Sequence, residues 1–382
     1  MFDQTFLREL AAMKDEAGVV SLYTTADPRE EASTRPARGI RLRNELSAIR
    51  DHVNTWPDRE RREAVFRRLE ALEPDILELL DATESGIGRA LFASVSDHDV
   101  RTIKLQVPIE DCAVLESTAY VRPLLTAMAT SAPAGLVLVS RDGVRLIDLR
   151  YGVAEEIEHK TYEIDTEDWR PMRGPGPGGT AQSSSTQTDR FQRRVEDHLR
   201  RNLHGSAPEI ARQARSRGWT DVLLIGDVEL TEVLAGAVHP LDVVQVDTIV
   251  DTLPPAEAAK HVAPELAATR ERRDAALAAR AVDAAKSGGR GSLGLNQTLA
   301  LLNEGRVDHL LLEESAKWSG FKGLDGYLYD HAPAGVPSDP EPDLGERMIE
   351  AALNTGVTLT ILTTTGAEAL ADYNGVAALL RW

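Results

Sequence analysis

A chain of 382 residues, 42% hydrophobic and 27% charged, has the composition of an ordinary globular protein and the length for two or three domains. Its formal net charge of -18 argues against wholesale coating of nucleic acid, which needs a basic face. No apolar run approaches the roughly 18 to 20 residues that cross a bilayer. Met1–Leu10 lacks a basic stretch before a hydrophobic block, and the lone Cys112 excludes an intrachain disulfide and any cysteine-cluster metal site. The sequence therefore predicts a cytoplasmic protein with no membrane partner.

In chain order, residues 1–16 read as an amphipathic helix and Val19-Val-Ser-Leu-Tyr23 as a strand after Gly18. A basic loop (Arg29, Arg35, Arg38) leads into a helix through Leu46 and Ile49, and a second helix spans about Asp58–Asp81. The alternating runs 89–95 and 100–107, separated by Asp97-His98-Asp99, form a hairpin, and a helix follows at 123–128. Strands at 136–140, 144–149 and 153–158 make a meander with a turn at Asp142-Gly143.

Next comes a stretch that cannot fill a core. Arg170-Pro-Met-Arg-Gly-Pro-Gly-Pro-Gly-Gly-Thr-Ala-Gln182 alternates prolines, which bar regular structure, with glycines, which allow positive φ. Helical periodicity starts after Asp189, a fitting N-cap, with Phe191, Val195, Leu199 and Leu203 on one side. Arg190, Arg193, Arg194, Arg200 and Arg201 decorate that helix. A second helical segment runs 208–217, followed by a buried strand 221–225, a short helix 230–234 and a strand 243–246. Residues 255–286 are nearly all Ala, Glu, Arg and Leu, which predicts one long helix.

The rest reads as an α/β/α sandwich: helix 295–303, strand 307–312, a polar loop to about 343, helix 344–354, strand 357–362, a short helix 367–373 and a last strand 376–381. Gly289-Arg-Gly-Ser-Leu-Gly294 matches the dinucleotide spacing but follows a helix, so it reads as a helix C-cap and turn. No phosphate-binding loop, nucleophile elbow or zinc-spaced ligand set is present, so the sequence calls for no cofactor and no metal.

Four stretches resemble a known family. Gly291–Leu312 resembles the opening of the third domain of the archaeo-eukaryotic peptide release factors and Pelota, and Gly356–Arg381 resembles its closing strand, glycine turn and final strand. Val222–Leu234 is similar to the strand and helix of the middle domain, and Gly18–Tyr23 to the N-terminal domain. The bacterial branch, with the Balon-like ribosome hibernation factors, fits best. The resemblance implies a mixed α/β (α+β) fold with a three-domain release-factor/Pelota-like architecture. Its parts would be an N-terminal α+β domain 1–131, a middle α/β domain 132–288 with loop 173–188 and helix 255–286, and a C-terminal L7Ae-like sandwich 289–382.

The resemblance also implies a ribosome-binding translation factor in the A site, its middle loop towards the peptidyl transferase centre, acting in hibernation or rescue. Arg173, Gly178, Gly179, Arg190, Arg193, Arg194, Arg200 and Arg201 would contact ribosomal RNA. The C-terminal domain would meet a translational GTPase such as elongation factor Tu. The loop falls where release factors carry Gly-Gly-Gln, but reads Gly178-Gly-Thr-Ala-Gln182. The two extra residues displace the glutamine by up to roughly 7 Å along an extended chain, more than catalytic positioning tolerates. Asn54-Thr-Trp-Pro57 stands where eukaryotic factors read stop codons with Asn-Ile-Lys-Ser, so no decoding is expected. Two alternatives stay open: a peptidyl-tRNA hydrolase with Gln182 as its catalytic residue, and a stress-regulated scaffold outside translation.

Overall fold

The computed structural model describes residues 4–26, 37–81, 83–162 and 182–382. They form two compact units, Met1–Ser131 with Arg270–Trp382, and Ala132–Thr269.

The first segment opens with helix α1 (Gln4–Ala11) and strand β1 (Lys14–Thr25). The strand starts five residues before the apolar run, because alternation fails over its polar first half and hydrogen bonding carries it there. Helices α2 (Ala37–Asn54), α3 (Arg59–Ala71) and α4 (Glu73–Leu80) follow. The helix expected over 58–81 breaks at Leu72, where Pro74 enters the first turn of α4 and cannot donate a backbone hydrogen bond. Strands β2 (Gly88–Ser94), β3 (Val100–Leu105) and β4 (Cys112–Thr118) complete an antiparallel sheet of order β3-β2-β1-β4. Strand β4 was not expected; its burial shows no alternation of two. Val20, Leu22, Leu91 and Ala93 face Leu42, Leu46, Val65 and Leu69 of the helices in one core. Val19, Ser21 and Tyr23 point the other way and are fully buried too. Helix α5 (Arg122–Thr130) ends the segment.

The middle unit is a five-stranded sheet of β5 (Ala134–Val139), β6 (Gly143–Arg150), β7 (Val153–Thr161), β8 (Asp221–Gly226) and β9 (Val244–Asp247), in the order β7-β6-β5-β8-β9. The meander β5–β7 is antiparallel, while β5, β8 and β9 run parallel. Both faces of β5 and β8 are therefore covered, as parallel strands require. Val137, Val139, Val222 and Leu224 pack under helices α6 (Gln182–Arg217) and α7 (Val228–Val238). Leu136, Leu138, Leu223 and Ile225 pack against Ala258, Val262 and Leu266 of helix α8 (Pro255–Lys286). The two helical segments expected around 189–203 and 208–217 are one helix, with Pro208 inside it. The ring removes one hydrogen bond, but the buried stripe Leu203, Ala207, Ile210, Ala214 continues through it and holds the helix down.

The last segment contains a sheet of β10 (Gly291–Leu293), β11 (Val307–Glu313), β15 (Thr358–Leu362) and β16 (Val376–Leu380), ordered β10-β16-β11-β15, with helices α9 (Leu295–Asn303) and α10 (Leu344–Thr355). Ala278, Ala281 and Val282 of α8 pack against Leu311, Leu362 and Ala377. The glycine-rich turn after α8 contains β10, and Gly294 at φ 78 begins α9. The polar loop expected before 343 holds a small sheet, β12 (Gly320–Gly323), β13 (Leu328–Tyr329) and β14 (Ser338–Glu341). Strands of two to four residues leave no periodicity to read. The protein is a mixed α/β protein, as the sequence predicts.

Within the first unit, chain ends distant in sequence meet through buried polar groups. Ser21 Oγ accepts from the Tyr120 N–H at 3.0 Å, and the Tyr23 hydroxyl donates to the Tyr120 carbonyl at 2.5 Å. The next two amides, Val121 and Arg122, donate to the two carboxylate oxygens of Glu346 at 2.7 and 3.1 Å. Val121 offers no side-chain cap to α5 and Pro123 lacks an N–H, so Glu346 of α10 satisfies the start of α5 from outside. Beside it, the buried Arg347 pairs with Glu116 and Glu350 and donates to Thr118 Oγ1 at 2.8 Å. Arg122 donates to the carbonyls of Glu314 and Ala316 and lies over the Trp318 ring.

Two predictions follow from this packing. A Cβ at Gly135 would sit inside the Trp219 ring, so Gly135→Ala should destabilise the middle unit by about 1–3 kcal/mol in urea denaturation. Burial pushes the Glu346 carboxyl up to about 8, against the two amide donors that pull it down. A native carboxyl that holds its proton more tightly than the unfolded one gives stability that is full below the usual glutamate range and lost as pH rises through about 8. Urea stability of wild type should therefore fall by a few kcal/mol between about pH 5 and pH 9 relative to Glu346→Gln, which mimics the protonated form.

Candidate nucleic-acid interface

Helix α6 carries the residues that the sequence singles out. Its 36 residues make a rod of about 54 Å. Leu199, Leu203, Ala207, Ile210 and Ala214 recur at helical spacing and are buried against the sheet. At 100° per residue, positions 194 and 201 fall opposite that stripe, while 193 and 200 flank it. Arg193, Arg194, Arg200 and Arg201 are exposed there. Glu196 and Asp197 share the exposed surface, yet among the described residues none of the four arginines is in an ion pair. Arg201 Nε donates only to the backbone carbonyl of Asp197, at 3.3 Å.

Nearer the end of the helix, Arg212 and Arg217 are held otherwise, while Arg215 is exposed. Arg212 pairs with Glu209, its Nε at 2.7 Å from the carboxylate. Burial and the neighbouring Glu209 carboxylate push the Glu158 carboxyl up, so Arg212 sits among charges that already engage it. Arg217 and Arg150 both lie 3.4 Å from the buried Asp148. Asp148 also accepts from the Trp219 indole N–H at 2.5 Å. The buried Tyr162, where β7 gives way to the next stretch, meets Ser206 Oγ at 3.2 Å. Asp148, Trp219, Tyr162 and Ser206 were not singled out by the sequence. The tryptophan next to Gly218 at the helix end was the available signal.

Among the predicted contact residues, Arg173, Gly178 and Gly179 lie outside the described residues. Gln182 is the first residue of α6 and Arg190 lies within that helix, but their side chains are outside the described ones. The helix thus brings Arg193, Arg194, Arg200 and Arg201 together on one surface. A row of unpaired guanidinium groups on a rigid rod can bind phosphates in succession, each as a bidentate or point contact, without reading sequence. Among the described residues, no group of three or more His, Cys, Asp or Glu side chains could hold a metal ion, and no helix is long and apolar enough to cross a membrane.

The fold and this surface define a mixed α/β protein with a basic helix mounted on its middle sheet. Residues 133–251, which include that helix and sheet, match the model of the bacterial archaeo-eukaryotic release factor family 5. The resemblance read from the sequence is borne out over this stretch: the middle third of the chain is similar to the bacterial archaeo-eukaryotic release factors. Among solved structures, the chain is similar to an archaeal translation termination factor, aRF1, at 19% identity, covering 99% of this chain and 96% of that one with a TM-score of 0.25. It is similar to Archaeoglobus fulgidus Pelota at 13% identity, covering 77% and 79%, with a TM-score of 0.33. It is also similar to a ribosome-bound archaeal Pelota described with ABCE1, at 15% identity, covering 77% of each chain with a TM-score of 0.43. No curated relative matches the chain.

If this surface takes phosphates, replacing Arg193, Arg194, Arg200 or Arg201 by Ala should each lower the slope of log affinity for an RNA probe against log salt by about 0.7 to 0.9. Because these side chains are exposed, the same variants should unfold within about 0.5 kcal/mol of wild type. Filter binding across a salt series and thermal unfolding measure the two effects.

Proposed function

We propose that this release-factor-like chain binds the ribosome in the A site and works in hibernation or rescue without decoding stop codons. The observation that carries this reading is the exposed arginine face on the segment that matches the release-factor family. In this reading the chain has three functional domains, 1–131, 132–288 and 289–382. Arg173, Gly178, Gly179 and the arginines of α6 face ribosomal RNA, with the loop before α6 towards the peptidyl transferase centre. The C-terminal domain meets a translational GTPase such as elongation factor Tu, and the cytoplasm is the compartment. Thirteen acidic residues against six basic ones in residues 289–382 suit a protein partner better than bare RNA.

The spelling Gly178-Gly-Thr-Ala-Gln182 favours occupancy over hydrolysis. The chain should pellet with ribosomes at about 50 mM salt and be released towards about 200 mM. Absence of pelleting at the lower salt overturns the proposal. In the same complexes no peptide should be released; release that Gln182→Ala abolishes would make the chain a peptidyl-tRNA hydrolase instead.

A further inference from the structure

A cleft of about 570 Å³ opens in the last segment, between the end of β11, the residues after it and the 3-10 turn Glu368–Tyr373. This lies within the range of small-ligand pockets, roughly 300 to 1,000 Å³, and is more than one long side chain needs. Its apolar lining includes Ala316, Ala367 and the buried Trp318, whose indole N–H is committed to the Asn374 carbonyl at 2.8 Å. Its walls carry two carboxylates, Glu313 and Glu368.

Glu313 is held in place before any ligand arrives. One of its oxygens accepts from the Ser315 N–H at 2.9 Å, the Ser315 hydroxyl at 2.6 Å and the Thr364 hydroxyl at 2.9 Å. Partial burial pushes this carboxyl up, but those donors outweigh it and hold it below the usual glutamate range, so it is an anion at neutral pH. Gly375, at φ +67, lets the neighbouring backbone close on Glu313; a Cβ there would lie 2.7 Å from the glutamate Cβ. Among the described residues neither Glu313 nor Glu368 is in an ion pair. Lys317, exposed at the edge, leaves the cleft net negative.

We propose that this cleft takes an arginine or lysine side chain from a basic segment of a protein partner. The aliphatic stem lies on the alanines and the indole, and the charged head meets Glu313 and Glu368. The acidic surroundings repel phosphate, so nucleic acid is not the occupant. This proposal rests on the reading that the C-terminal segment meets a protein partner, and it names where and by what chemistry.

The test uses the full chain and the peptide acetyl-Ala-Arg-Ala-Arg-Ala amide, with the same peptide carrying neutral citrulline for arginine as control. The indole N–H signal of Trp318 is followed by heteronuclear NMR. The arginine peptide should shift that signal and the citrulline peptide should not. Glu313→Gln and Glu368→Gln should each weaken the peptide about tenfold or more; Glu368 is exposed, so its variant tests the cleft with the fold intact. Equal binding of both peptides, unaltered affinity in both variants, or no shift at Trp318 overturns the proposal. Wild type that takes the arginine peptide but fails to pellet with ribosomes removes the ribosomal reading and leaves the cleft; pelleting without peptide binding does the reverse.

Discussion

A tryptophan N–H held 2.5 Å from a buried aspartate fixes where the long helix ends. Asp148 comes from the central meander and Trp219 from the first residues after α6, so the bond ties helix to sheet. The same carboxylate lies near Arg150 and Arg217, which neutralise a charge that would otherwise be costly to bury. The absence of a Cβ at Gly135 leaves the room that the Trp219 ring occupies. With that end fixed and the stripe from Leu199 to Ala214 buried, the orientation of α6 is set, and so is the side on which Arg193, Arg194, Arg200 and Arg201 are exposed. Near that anchor Arg212 and Arg217 are paired with carboxylates, while Arg193, Arg194, Arg200 and Arg201 are exposed and, among the described residues, in no ion pair.

Glu346 shows how a local signature can be diverted. Asp343-Leu-Gly-Glu346 has the spacing of a capping box, and Asp343 does accept the Glu346 N–H at 3.1 Å. The glutamate carboxylate does not turn back to complete the box. It reaches the first amides of α5, which have no cap of their own. The sequence shows that helix α10 starts well; only the fold shows that its acid starts another helix as well.

Much of the architecture was legible. Strands β2, β5, β6, β8 and β11 read as apolar runs or alternation, helices α9 and α10 as apolar periodicity and α8 as a run of helix formers, so pattern and structure agree. What stayed hidden had no period to show: the mixed burial of β4, the two- to four-residue strands β12 to β14, and the join of two helical segments across Pro208. The exposed arginines were legible because charge at helical spacing is written in the sequence. Their division into free and engaged groups was not, because Asp148 lies 69 residues from Arg217. The cleft wall of Glu313 and Thr364 likewise joins residues 51 apart.

The acid that caps α5 arrives late in synthesis. Val121 lies 225 residues before Glu346, which at ordinary elongation rates is about 10 to 45 s of translation. Throughout that time the amides of Val121 and Arg122 have only water to bond, and Tyr120, which joins them to Ser21 and Tyr23, is held from one side alone. The N-terminal sheet must therefore remain soluble as an unfinished piece while the whole middle unit is made and folded. Its completion is an event of the chain's last hundred residues, so a nascent chain stopped before Glu346 carries a half-dressed sheet.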